Sequence, residues 1–190
     1  MATLTMRPTS GSGSSWSNIT NAYDGNDSTN GTVSVSEFNY SSRYATFSFS
    51  SNGIPNGATI NSATLTIIVK QSNSNSSRRI TVHADINEDS SSRVISQQLT
   101  KTTSTTLTAD MKDYMSDLSS IKIIAQTSSF SSNTFTLYEI YIDVDYTESS
   151  SGGNVSTKLM YFGDTQITAM YLGSNEINSI YIGDTLIYQK

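Results

Sequence analysis

The sequence contains no cysteine and only one histidine, His83, among its 190 residues. Disulfide bonds and thiol chemistry are therefore excluded, and sites that combine cysteine with histidine are unsupported. Only 14% of the residues are charged, and with a net charge of −5 the chain carries no basic stripe for nucleic acid. No stretch approaches the ~18 consecutive apolar residues of a membrane span. We therefore expect neither nucleic acid nor a membrane as a partner.

The first six residues also lack the charged start and the apolar run of a secretory signal peptide. We expect that the protein does not leave a cell by the ordinary secretory route. Release with a lysing virus particle fits this expectation, and residence in the cytoplasm is the alternative.

What the sequence does contain is a series of short segments in which apolar and polar residues alternate. In one of them, Ala63, Leu65, Ile67 and Val69 share a face, which is typical of a strand that covers a core. The predicted strands are 2–6, 43–49, 63–70, 79–87, 120–126 and 134–146. Glycine, serine and asparagine turns lie between them, so the pattern predicts an all-β sandwich.

The predicted strand 79–87 contains the single histidine. Alternation places its apolar residues on the inward face and its polar residues on the outward face. The outward set is Thr81, His83, Asp85 and Asn87. We therefore expect His83 to be an exposed surface residue without a catalytic role.

One segment has the period of a helix instead of a strand. In 108–118, Met111, Tyr114, Met115 and Leu118 follow the spacing i, i+3, i+4, i+7. This spacing predicts one short helix that closes an end of the sandwich.

Three decapeptides end the sequence, namely KLMYFGDTQI, TAMYLGSNEI and NSIYIGDTLI. Tyrosine, glycine and isoleucine recur at fixed spacing, which is the mark of a repeated structural unit. Each Gly-Asp-Thr or Gly-Ser-Asn is turn chemistry between two apolar runs. The pattern predicts a small β-meander with antiparallel strands near 158–162, 166–172, 176–182 and 186–189.

The polar Gly/Ser stretch TESSSGGNVST separates these repeats from the preceding strands. We place the sandwich at 1–147, the linker at 148–157 and the repeat domain at 158–190.

Both faces of the predicted meander are apolar, although an antiparallel sheet in water normally needs only one dry face. The second face must therefore meet another copy, a partner protein or, as the alternative, the chain's own sandwich. We expect a homo-oligomer or attachment to other proteins. The expected interface residues are Met160, Tyr161, Phe162, Met170, Tyr171, Leu172, Ile180, Tyr181 and Ile182.

The segment Ile54–Leu65 reads IPNGATINSATL. It resembles the IP-x-GATI-x-SATL signature of a jelly-roll family found in bacterial surface proteins and phage structural proteins, related to DNRLRE domains and carbohydrate-binding modules. Weaker matches follow at 107–111 and 138–146, although no serine precedes Glu139 and no proline follows it. The resemblance covers roughly residues 30–147 and implies a jelly-roll sandwich.

The decapeptides resemble I-Y-L-G-D-T-x-I repeats on tail and head-fibre proteins of phages that infect Gram-positive bacteria. Together the two resemblances imply a non-enzymatic virion protein, such as a capsid decoration, head-fibre or tail subunit, assembled in the host cytoplasm. Its repeats would attach or oligomerise, with a trimer favoured because trimers are common among phage fibres, and its jelly roll would project and bind host glycans. The alternative is a free carbohydrate-binding module of a bacterial surface protein, and a glycan-active enzyme is a third hypothesis.

The loop 22–29 reads AYDGNDST and resembles the A-x-D-G-x-x-x-T loop of discoidin-like, galactose-binding modules. In that family the loop and a glutamate from the final strand wrap a calcium ion, which takes hard oxygen ligands. The resemblance implies a structural calcium ion held by Asp24, Asp27, Thr29 and Glu139. The alternative is an Asp/Asn/Gly turn that needs no ion.

Four aromatic residues lie in or beside predicted loops, namely Trp16, Tyr23, Tyr40 and Tyr44. An exposed aromatic ring stacks on the C–H face of a sugar, so these residues are the candidate glycan-binding platform. The alternative is that they cover the edges of the core.

Overall fold

The computed structural model describes residues 1–36, 43–50, 53–129 and 131–148 and, beyond them, the backbone of short strands between 161 and 189. The chain divides into two compact units, Met1–Glu148 and Ser149–Lys190. No helix in the described ranges has the length and apolarity needed to cross a membrane.

The first unit is a jelly-roll sandwich of two antiparallel sheets, as the sequence predicts. Its strands are β1 (Ala2–Met6), β2 (Ser10–Ser12), β3 (Gly31–Val35), β4 (Arg43–Ser48), β5 (Thr59–Gln71), β6 (Thr81–Ile86), β7 (Arg93–Gln98), β8 (Thr105–Asp110), β9 (Ser120–Gln126) and β10 (Asn133–Thr147). One sheet has the order β1-β10-β5-β8, with β3 also paired to β10. The other sheet has the order β2-β4-β9-β6-β7.

The core lies between the two sheets, and β5 shows how alternation builds it. Ala63, Leu65, Ile67 and Val69 are all at most 1% exposed, as the sequence predicts. Each large apolar side chain buried in this way contributes about 1.5–3 kcal/mol relative to exposure. Pairing of β5 with β10 and β8 on its two sides fixes which face turns inward.

The predicted helix at 108–118 is wrong. Thr105–Asp110 forms the strand β8, because its threonines and alternating pattern suit the edge of β5, with Leu107 opposite Ile67. The carboxylate of Asp110 then accepts a hydrogen bond from the backbone amide of Lys112 at 2.9 Å, and only a short 3-10 turn follows. The 3-10 turns of the described chain are Ile19–Ala22, Ser76–Arg78, Ser90–Ser92 and Lys112–Tyr114.

The prediction for the outward face of β6 is only partly correct. Its inward residues are buried as expected, but His83 is 9% exposed and Asp85 only 2%. The reason is the position of β6, which lies inside its sheet between β9 and β7. Side chains of the neighbouring strands cover the outer face, so alternation alone does not give exposure. The expectation of an exposed His83 is therefore wrong.

Three short strands lie where no strand is predicted. Ser10–Ser12 falls in the stretch SGSGSS, which reads as a flexible loop, but it pairs with β4. Gly31–Val35 and Arg93–Gln98 pair with β10 and β6. Each of these strands is stabilised by hydrogen bonds to a neighbouring strand. The local sequence pattern does not show such pairing between distant segments.

In the second unit, the strands that the structure describes pair two by two. The pairs are β11 (Tyr161–Phe162) with β12 (Thr165–Gln166), β13 (Tyr171–Leu172) with β14 (Asn175–Glu176), and β15 (Ser179–Ile182) with β16 (Thr185–Gln189). The antiparallel pairing of these strand segments agrees with the predicted antiparallel strands. The interiors of the two long predicted strands, 167–170 and 177–178, lie outside the described residues.

The predicted interface residues belong to this second unit. Met160 and Met170 lie outside the described residues, and the others are described by their backbone alone. The prediction of an interface therefore stays a prediction.

Candidate functional site

The loop between β2 and β3 is closed by its own hydrogen bonds. The carboxylate of Asp24 accepts the backbone amide of Asn26 at 2.9 Å, and Asn26 in turn accepts the amide of Ser28 at 3.0 Å. The hydroxyl of Thr29 lies 2.7 Å from the second oxygen of Asp24 and 2.8 Å from the carbonyl oxygen of Asn26. Asp24 and Thr29, two of the predicted calcium ligands, are thus brought together.

Glu139 reaches this loop because of a β-bulge in β10. The register of β10 against β5 shifts between Leu137 and Glu139. A bulge re-aims a side chain relative to the regular alternation. As a result Glu139 and Ile140, which are consecutive residues, are both fully buried.

The carboxylate of Glu139 forms an ion pair with the guanidinium of Arg7, which follows directly after β1. Burial raises the pKa of Glu139 above its ordinary value, while Arg7 and the backbone amides of Gly25 and Asn26 act in the opposite direction. Among the described residues, none makes a hydrogen bond to the other carboxylate oxygen, Oε1. Arg7 thus provides the main compensation for this buried charge.

An open, polar cleft of about 570 Å³ lies in front of this ion pair. Its walls are the loop on one side and, on the other, the end of β1 and the central part of β10. The lining residues are Thr5, Arg7, Gly25, Asn26, Asp27, Ser28, Tyr141 and Asp143. This volume falls in the range of roughly 300–1,000 Å³ that is usual for small-ligand sites.

Pairing of β1 with β10 positions the functional groups of the cleft. Thr5 lies opposite Asp143 in the register, and its hydroxyl donates to the Asp143 carboxylate at 2.6 Å. The guanidinium of Arg7 stacks over the ring of Tyr141, with 5.3 Å between its carbon and the ring centroid. The cleft therefore combines the cation–aromatic pair of Arg7 and Tyr141 with the carboxylate of Asp143 and with loop groups. The carboxylate and the loop groups are of the kinds that accept hydrogen bonds from hydroxyl groups or donate to them.

The predicted calcium ligands fall on two sides of the loop. Asp24 and Thr29 bond to each other, Asp27 lines the cleft, and Glu139 pairs with Arg7. Within the described ranges, no three acidic or histidine side chains form a group able to hold a metal ion. Calcium binding stays a prediction from the loop motif.

Trp16, the first of the predicted platform aromatics, packs into the sandwich. Its ring meets Phe135 edge to face at a centroid distance of 5.8 Å, and its indole N–H donates to the carbonyl of Tyr44 at 3.1 Å. Phe135 is fully buried. Trp16 therefore covers an edge of the core, which is the alternative interpretation of the sequence.

The other platform residues are dispersed. Tyr23 packs edge to face against the buried Phe47 at 5.9 Å. Tyr44 is 40% exposed on the outer face of the second sheet, with the amine of Lys122 4.3 Å from its ring centroid. Tyr40 lies outside the described residues. The described aromatics thus do not form one continuous platform.

Sequence reasoning missed Arg7, Tyr141 and Asp143 as site residues. Nothing local marks Arg7, since its partner Glu139 lies 132 positions away. The sequence of β10 does carry a signal for the bulge. Within one apolar run, the buried residues occupy odd-numbered positions up to Leu137 but even-numbered positions at Ile142 and beyond.

No protein-family model matches the chain, and no curated protein matches it significantly. Among solved structures, the chain is similar to the CBM32 module of AlyQ in complex with 4,5-unsaturated mannuronic acid. The identity is 17% and the TM-score 0.40, over 73% of this chain and 97% of that chain. A xylan-binding CBM15 module is 19% identical with a TM-score of 0.40, over 75% of this chain and 95% of that one.

A truncated AlyQ with CBM32 and alginate lyase domains is 18% identical, with a TM-score of 0.44. The match covers 84% of this chain but only 38% of that structure. Identities and TM-scores this low carry no conclusion about the ligand of this chain.

Proposed function

We propose that residues 1–148 form a non-catalytic glycan-binding module, with the cleft at Arg7, Tyr141 and Asp143 as its binding site. The observation that carries the proposal is the chemistry of this cleft. A carboxylate, backbone groups and hydroxyls accept and donate hydrogen bonds to sugar hydroxyls, and a flat aromatic group contacts the C–H surface of the ring. The jelly-roll signature at 54–65 and the discoidin-like loop at 22–29 support the same interpretation.

The charge of the cleft favours a neutral, hydroxyl-rich polysaccharide. Arg7 is already neutralised by Glu139, whereas Asp27 and Asp143 line the cleft without such a pairing with a cation. The whole chain has a net charge of −5, which adds to the repulsion of an anionic ligand. An acidic glycan would therefore bind more weakly than a neutral one.

Binding is tested on the full-length protein by affinity electrophoresis in gels that contain neutral polysaccharides, such as xylan, galactan and glucan, or acidic ones, such as alginate. We expect retardation in at least one neutral gel and loss of most of it in Asp143→Asn. Asp145→Asn is the matched control, because Asp145 lies two residues further along β10 and bonds to Ser62 outside the cleft. Retardation by no polysaccharide would contradict glycan binding, and retardation only in acidic gels would contradict the charge argument.

A role on a phage particle is a separate proposal, carried by the decapeptide repeats. In this proposal the repeats attach the protein to the particle or form a homotrimer. The protein would then be located in the virion. Nothing in the comparisons bears on it, and the free-module alternative agrees with the neighbours at least as well. Detection of the protein in purified virions would support the particle role, and its absence from them would leave the free module.

A further inference from the structure

The buried carboxylate of Glu139 requires a compensating positive charge. Its side chain is fully inaccessible to solvent, and a buried carboxylate is tolerated only where a cation or hydrogen-bond donors replace the lost water. The loop sequence predicts a calcium ion for this role, whereas the structure holds the Arg7 guanidinium there. We propose that Arg7, rather than calcium, is the cation that fixes the loop 24–29 to β10.

Arg7 is held in place from three directions. It pairs with Glu139, stacks over the ring of Tyr141, and lies against the loop backbone at Gly25. A Cβ atom added at Gly25 would come 3.5 Å from the guanidinium carbon, so the charged group lies beside the loop at this position. Gly25 has a φ of +82°, a conformation that glycine adopts without strain. One guanidinium thus joins β1, β10 and the loop.

The oxygen atoms that calcium would need are already engaged. A calcium ion takes roughly six to eight oxygen ligands. The carboxylate of Asp24 accepts the amide of Asn26, the carbonyl oxygen of Asn26 accepts the amide of Thr29, and the single hydroxyl proton of Thr29 is shared between these two acceptor groups. These bonds close the loop without an ion.

One observation favours an ion, because Oε1 of Glu139 is buried and no described residue makes a hydrogen bond to it. The backbone amides of Gly25 and Asn26, however, lower the pKa of this carboxylate, so the loop turns partial positive charge toward it, although the Asn26 amide donates its own hydrogen bond to Asp24. A calcium loop presents carbonyl oxygens instead. A divalent cation at Oε1 would also lie beside the guanidinium and be repelled by it. The residues therefore do not fit a calcium ion.

The experiment measures the melting temperature of the full-length protein with chelator, with millimolar calcium and with neither. We expect three identical melting temperatures for the wild type. We expect Arg7→Met to lower the melting temperature by about 5–10 °C, since it leaves a buried carboxylate without its cation. Lys101→Met, which removes an exposed cation, is the matched control and should leave it unchanged.

The double variant Arg7→Met/Glu139→Gln shows whether Arg7 stabilises the protein through its ion pair with Glu139 or whether any change at Arg7 damages the fold. If the pair acts as proposed, removal of both charges recovers part of the loss, because no buried carboxylate remains unpaired. Arg7→Lys, which keeps the charge without the planar stack, should lose less than Arg7→Met. A wild-type melting temperature that falls with chelator, in a response that Asp24→Ala abolishes, would overturn the proposal. An additive double variant, or equal effects of Arg7→Met and Lys101→Met, would overturn it as well.

Discussion

Asp85 and Arg93 form a two-point ion pair across β6 and β7, with Nε and Nη2 of the arginine 2.6 and 3.0 Å from the two carboxylate oxygens. Asp85 is 2% exposed, whereas the Arg93 side chain is 33% exposed. The register between the two strands shifts at this point, so the arginine reaches the carboxylate from a bulge. The pair therefore ties the edge strand β7 to the sheet.

We expect Arg93→Met to lower the free energy of unfolding by about 2–3 kcal/mol, less than for a fully buried pair because Arg93 is partly exposed. Arg93→Lys should recover only part of this, since lysine cannot make both bonds. Denaturant unfolding measures both values, with Arg79→Met as control, because the Arg79 guanidinium donates to a loop carbonyl at 3.4 Å and forms no ion pair with any described residue. Equal losses in Arg93→Met and Arg79→Met would contradict a structural role for the pair.

His83 should make stability depend on pH. Burial and, secondarily, the charge of Arg93 lower its pKa below 6.5, while Asp85 and a hydrogen bond with Gln126 act in the opposite direction. The unfolded chain therefore binds the proton more tightly, and the contribution of His83 is present above about pH 6.5 and is lost as the pH falls through the lowered folded-state pKa.

We expect wild-type stability to decrease between about pH 7 and pH 5, and this decrease to be smaller in His83→Gln, which does not titrate there. Thermal unfolding at both pH values measures the difference. Identical pH dependence in the two proteins would show that His83 does not contribute.

Trp16 should act on stability, because its ring packs on Phe135 and its N–H ties it to the backbone of Tyr44. We expect Trp16→Ala to cost about 2–4 kcal/mol and Trp16→Phe clearly less, since phenylalanine keeps the aromatic contact. Denaturant unfolding gives both costs. Affinity electrophoresis of Trp16→Phe separates packing from sugar binding, and we expect binding to be retained. Loss of binding at near-normal stability would instead support Trp16 as a sugar platform.

The sandwich was predictable where one strand pattern decides the structure. Alternation predicted the buried face of β5 correctly. This strand pairs with β10 and β8 along its two edges, so one of its faces turns toward the core. Alternation failed for His83 and Asp85, because exposure of the outer face depends on which strands flank β6 and on a long arginine from β7. The helical spacing at 108–118 was misleading in a similar way. Met111 and Met115 are buried in the core, but Met111 follows the end of a strand and Met115 follows a 3-10 turn.

The candidate site shows the same limit. The loop motif drew attention to Asp24 and Thr29, which bond to each other, and to Glu139, which pairs with Arg7 beside the loop. It did not identify Arg7, because an ion pair over 132 positions depends on the pairing of the first and last strands of the sandwich. Cleft residues such as Tyr141 become visible only when that pairing is known.

The decapeptide repeats present a problem of stability. Each forms a hairpin of two strands, and the described backbone contains no sheet of more than two strands in this unit. An isolated two-stranded hairpin is marginally stable at best in water, and stability requires further strands or packing against another surface. The repeated tyrosines, isoleucines and leucines supply apolar side chains for such packing.

We therefore expect the repeats to associate, and we expect the intact chain to form an oligomer, with a trimer favoured over a dimer, or to bind a partner protein through residues 158–190. Cleavage near Gly153 should release a folded, monomeric fragment 1–150, since Met1–Glu148 is a compact unit with its own core. Light scattering coupled to size-exclusion chromatography measures both masses. Leu172→Asp, which replaces an apolar residue of the second repeat by a charged one, should reduce oligomerisation of the intact chain, whereas Lys101→Met in the sandwich should not. A full-length protein that is monomeric at all concentrations and has no partner would contradict association through the repeats.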